Sequence, residues 1–143
     1  MNRNSQQYET TLYKESNLEQ IIQEALVKEI GGYFDSLIGA KIITRSHVKR
    51  DFHMDYSTIQ KLREGNPSVS KDTLEKVAYL IAYYLVEQCR EVEAEENGME
   101  KRLKMKALGE LEKQFERIYG SLAHILLKKA NGGVDLRQIV KNK

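Results

Sequence analysis

Apolar residues recur at three- and four-residue steps along most of the chain, the spacing that gathers side chains on one face of an α-helix. Leu18, Ile21, Ile22, Ala25, Leu26, Ile30, Tyr33, Phe34, Leu37 and Ile38 make one such face. Asn17 is placed to cap its start, with Gln20 three residues on as in a capping box. Gly31-Gly32 is expected to loosen or kink this helix and Gly39 to end it. Leu74, Val77, Ala78, Ile81 and Leu85 make a second face behind Ser70, a natural N-cap. A third runs through Leu108, Leu111, Phe115, Ile118, Leu122 and Ile125, where steps of three and four alternate as in a heptad seam. It predicts one long helix over 99–130, entered by a turn at Asn97-Gly98 and ended by Asn131-Gly132-Gly133. The β-branched alternation of strands is scarce.

Residues 44–65, TRSHVKRDFHMDYSTIQKLREG, read as two short helices joined by a tight turn. The first is predicted over 45–52, capped by Thr44, and the second over 56–64, capped by Asp55. Val48 and Phe52 lie one turn apart, Met54 plugs the turn, and Ile59 with Leu62 forms the inner face of the second helix. Tyr56, Ser57, Gln60, Lys61 and Arg63 then face outward. The fold expected is all-α: a helix-turn-helix domain of four to five helices with a long C-terminal helix appended as a hairpin. Its parts are a disordered tail (1–15), a helix-turn-helix domain (16–90, core motif 44–65), a helical dimerisation region (91–130) and a basic tail (131–143).

The run MDYSTIQKLREGNPSVSKDTLEKVAYLI resembles the second half of a Cro/repressor-type (Xre-like) DNA-binding domain. The likeness covers residues 44–82 and rests on the apolar frame, Gly65 and the cluster Ser70, Thr73 and Leu74. Two positions depart: Lys49 stands where the family favours a small residue, and His53 where it favours Gly in the turn. The resemblance implies that Tyr56, Ser57, Gln60 and Lys61 read base edges in a major groove. It also implies that Arg45, Asn66 and Ser68 contact the DNA backbone, with Lys41, Arg50, Arg63 and Lys71 adding general attraction.

Charge sharpens this picture. The net charge is only +2, but residues 41–71 carry seven basic and three acidic groups, concentrating cations on the motif. A lone helix-turn-helix reads few bases, so a homodimer is expected, with Leu108, Leu111, Phe115, Ile118, Leu122 and Ile125 as its interface. The alternative for that stripe is packing on the chain's own helices.

Other chemistry is thinly represented. No phosphate-cradling glycine loop, metal-ligand cluster or nucleophile–base pattern is evident, so neither an enzyme nor a cofactor is expected. His47 and His53 lack ligating partners at metal spacing. Cys89 is the only cysteine, which fits a reducing cytoplasm and a structural thiol. The N-terminus carries no signal-peptide pattern and no run has the length of a membrane span. The function expected is sequence-specific binding of double-stranded DNA by a homodimeric, repressor-like regulator of the phage or mobile-element kind. The alternative is a helix-turn-helix turned toward another protein, antitoxin- or inhibitor-like, with DNA binding autoregulatory or lost.

Overall fold

A computed structural model describes residues 3–141, with side chains from Asn17 onward. Among these residues there are seven helices and no strand: α1 (Arg3–Gly39), α2 (Arg45–Phe52), α3 (Tyr56–Arg63), α4 (Lys71–Glu93), α5 (Met99–Tyr119), α6 (Ser121–Asn131) and α7 (Leu136–Lys141). The fold is all-α. None of the described helices is long and apolar enough to cross a membrane.

α4 is the central element. Ser70 caps it by accepting the Thr73 N–H at 3.1 Å, and its residues Val77, Ala78, Leu80, Ile81, Ala82 and Leu85 are fully buried. Apolar residues on three sides of one helix require cover on three sides. α5 and α6 supply one cover, α7 a second, and α1 a third. One hydrophobic cluster runs from Val27 on α1 through the helix-turn-helix and α4 to Leu136 on α7. The division expected at residue 90 therefore does not separate two cores. Polar atoms at the seams are satisfied: the Tyr33 hydroxyl donates to the Leu111 carbonyl at 2.6 Å, and Arg90 Nη2 donates to the Ala130 carbonyl at 2.8 Å.

Several boundaries differ from expectation. α1 is continuous from Arg3 through Gly31-Gly32, with no break at the glycines and no start at Asn17. The tail expected over 1–15 falls outside the described side chains. The single helix expected over 99–130 is two helices, because Gly120 adopts φ 60°, ψ −131°. A residue with a Cβ rarely takes that conformation, so a glycine there lets the chain turn in the middle of an apolar repeat. Residues 131–143 are not merely a basic tail. Asp135 accepts the Arg137 N–H at 3.0 Å, α7 follows, and Leu136 is fully buried.

The turn at Gly120 also decides the fate of the heptad stripe. Leu108 and Phe115 are buried in the chain's own core, and Leu111, Ile118 and Leu122 pack against it half-buried. Only Ile125, 49% exposed, stands outside. The stripe expected to join two copies is spent on α4, which needed its own cover.

Candidate nucleic-acid interface

The helix-turn-helix forms as its local chemistry dictates. Thr44 Oγ1 accepts the His47 N–H at 3.3 Å and starts α2. Asp55 Oδ1 accepts the Thr58 N–H at 2.8 Å and starts α3. That backbone hydrogen bond is the main reason the Asp55 carboxyl lies below its ordinary range. Between them His53 takes the left-handed conformation, φ 54°, ψ 35°, and its N–H donates to the Lys49 carbonyl at 3.1 Å. His53 thus holds a conformation that glycine adopts most easily, though histidine tolerates it better than most side chains. Val48, Phe52, Met54, Ile59 and Leu62 are all buried, as their spacing required.

Burying Ile59 and Leu62 turns the opposite arc of α3 to solvent. Tyr56 is 47% exposed, and Ser57, Gln60 and Lys61 are exposed beside it. Successive exposed positions at i, i+1, i+4 and i+5 share one side of a helix. Lys49 of α2 reaches this face, its ammonium 4.8 Å from the centre of the Tyr56 ring, a cation–π contact. Lys49 thus adds a cation beside Tyr56. Glu64 also joins the face. It is exposed and holds the Gln60 amide at 2.8 Å. Neither Lys49 nor Glu64 was marked by sequence as part of the site. Glu64 stands four residues, one turn, after Gln60, which was the available signal; Lys49 lies on α2, where no spacing within α3 marks it.

The surrounding cations divide into free and engaged. Lys41, Arg45 and Lys71 are exposed. Arg50 is exposed but forms two hydrogen bonds to Asp51, at 3.0 and 3.3 Å. Arg63 is drawn inward to Asp35 of α1 at 2.7 Å, so it braces two helices. In the following loop, Asn66 Oδ1 accepts the Ser68 N–H at 2.9 Å. Asn66 thereby shapes the turn, leaving Ser68 exposed at its tip.

α2 is also clamped from the side away from α3. Asp51, only 10% exposed, accepts the Tyr84 hydroxyl at 3.0 Å and lies 3.8 Å from Arg137 of α7. Burial opposes its ionisation, but hydrogen bonds from Arg50 and Tyr84 and the two arginine charges outweigh it and hold the carboxyl below its ordinary range. Arg137 in turn lies 4.8 Å over the Tyr83 ring. No family model matches this chain, and no curated protein or solved structure is significantly similar to it.

Proposed function

We propose that this chain is a homodimeric regulator that binds double-stranded DNA in the cytoplasm, with α3 in the major groove. The observation that carries the reading is the outward arc of α3. Tyr56, Ser57, Gln60 and Lys61 are free of any covering element, while Ile59 and Leu62 anchor the helix beneath them. A glutamine can bridge the two hydrogen-bonding positions of adenine, a lysine can reach guanine, and a tyrosine can touch a thymine methyl or a phosphate. Lys49, Arg45 and Lys41 supply the cations that phosphates attract. The lone thiol suits a reducing compartment.

Titrations of labelled duplexes at several salt concentrations test this reading, using the DNA upstream of the chain's own coding sequence and a scrambled control. The wild type is expected to prefer the upstream duplex and to lose affinity steeply with salt. Gln60→Ala and Lys61→Ala should each remove about 1–3 kcal/mol of that preference. Lys49→Ala should weaken all duplexes alike and flatten the salt dependence. Equal weak binding to every duplex by wild type and variants would end the reading in favour of a module that binds protein.

A further inference from the structure

α1 carries two apolar faces. Val27, Ile30, Phe34 and Leu37 point into the core, each at most 3% exposed. Leu18, Ile21 and Ile22 are 59%, 53% and 51% exposed, Leu26 is 38% exposed, and Ala25 is exposed with them. At 3.6 residues per turn the second group is centred roughly 120° around the helix from the first. It is not the core stripe fraying into solvent. Four of the nine large apolar side chains exposed among the described residues fall in this one stretch, so they form a patch rather than a scatter.

We propose that this stripe is the docking surface for a second copy of this chain, paired antiparallel about a two-fold axis passing between Ile21 and Ile22. Leu18, Ile21, Ile22 and Ala25 are separated by steps of three, one and three. Read from either end these four give the same pattern, so reversing one helix against the other sets Leu18 opposite Ala25 and Ile21 opposite Ile22, with Leu26 at the edge opposite Asn17. Such self-matching is what an isologous interface requires.

The area is adequate for a second copy. The four large side chains leave on the order of 400 Å² of apolar surface in water, the size at which a patch marks an interaction site. Two stripes together supply about half of a standard interface as apolar area, and because only roughly 60% of an interface is apolar, Glu19 and Glu24 on the flanks bring the total to the lower end of the standard size. The α5 stripe is not available for this purpose, since Leu108 and Phe115 are internal.

The surface also deepens the regulator reading on which its biological use rests. α1 runs along the helix-turn-helix. Gln23 Nε2 donates to the Val69 carbonyl at 3.1 Å, a Cβ on Gly65 would lie 3.2 Å from the Lys28 Cα, and Asp35 holds Arg63. A dimer joined through α1 therefore holds its two α3 helices at a set separation, and that separation selects the spacing of the half-sites.

Light scattering without DNA, across the micromolar range, tests the surface independently of any DNA. The wild type is expected at twice the 16.6 kDa chain mass. Ile21→Glu/Ile22→Glu should give the single-chain mass with unchanged helix content, because both side chains are in solvent in the single chain, and a melting midpoint that no longer rises with protein concentration as the wild type's does. Ile125→Glu, on the exposed side of α6, should stay dimeric. In a Cys89→Ser background, Leu18→Cys mixed with Ala25→Cys should form a disulfide between the two variants on mild oxidation. A wild type that is monomeric throughout overturns the proposal and leaves the stripe to a different protein. A charge-bearing double variant that stays dimeric, or disulfides only between like variants, overturns it as well. If the dimer fails but the upstream duplex is still preferred, the DNA reading stands alone. If the dimer holds and no duplex is preferred, only the DNA reading falls.

Discussion

Gly31 of α1 and Gly65 behind α3 lie backbone against backbone. A Cβ built on Gly31 would sit 3.3 Å from both the Gly65 Cα and N, and would overlap the Leu62 carbonyl oxygen. The two helices can approach this closely only because neither residue has a side chain. Gly65 has a second reason to be glycine, its φ of +67°. This contact presses the end of α3 onto α1 and sets the pose of the exposed arc.

Gly31→Ala should therefore destabilise the protein by about 1–3 kcal/mol, since a backbone oxygen cannot step aside as a side-chain tip can. Gly32→Ala is the contrast. Nothing lies within 4 Å of the Cβ it would add, and alanine is the better helix former by roughly 0.5–1 kcal/mol. Urea denaturation of the two variants should move the midpoint in opposite directions. Equal shifts would mean that the α1–α3 contact is looser than described.

His53 makes a second test of the same motif. A left-handed conformation costs a residue with a Cβ about 1–2 kcal/mol, and glycine gives back roughly 0.5–1 of that through the freedom of the unfolded chain. His53→Gly should thus raise stability by at most about 1.5 kcal/mol, and His53→Val should lower it, because a β-branched residue tolerates φ 54° least. Thermal melting of both variants checks the order valine, histidine, glycine.

Asp51 should show itself through pH. Its carboxyl ionises more readily in the folded protein than in the unfolded chain. The stability it contributes is therefore fully present above the unfolded value of about 3.9 and is lost as pH falls through the lower folded value. Asp51→Asn should cost about 1 kcal/mol or somewhat more at neutral pH. The cost sits at the low end because Arg50 is 67% exposed and Arg137 37% exposed, where water screens their charges. Urea midpoints of wild type and variant should begin to converge as pH falls below about 4 and meet only below the lower folded value. A gap that stays constant with pH would mean that the charge plays no part.

The helix-turn-helix was legible because its determinants are local. Thr44, Asp55 and Ser70 cap the helices that follow them, and a cap needs only the next three residues. The buried set of Val48, Phe52, Met54, Ile59 and Leu62 follows from spacing within a short segment. The candidate face inherits this: once Ile59 and Leu62 turn inward, Tyr56, Ser57, Gln60 and Lys61 must turn out. The roles of Arg63 and Asn66 were not legible. Asp35 lies twenty-eight residues from Arg63, whereas the Asn66 side-chain oxygen is taken up by the N–H of Ser68 in a local turn that reading the segment as a DNA contact passed over.

Helical periodicity states that a stripe of side chains will be buried, but it does not name the partner. By itself the sequence determined that the chain is helical, where α2, α3 and α4 start, and which residues of α3 point away from its apolar side. Only the tertiary arrangement decided that α5 covers α4 of the same chain and that α7 returns to clamp α2. It also decided that Leu18, Ile21 and Ile22 of α1 stay in solvent while Val27, Ile30, Phe34 and Leu37 enter the core. The physical reason is that caps and spacing act over a few residues. Which apolar faces meet is settled by competition among all of them, and here α4, apolar on three sides, took the nearest available cover.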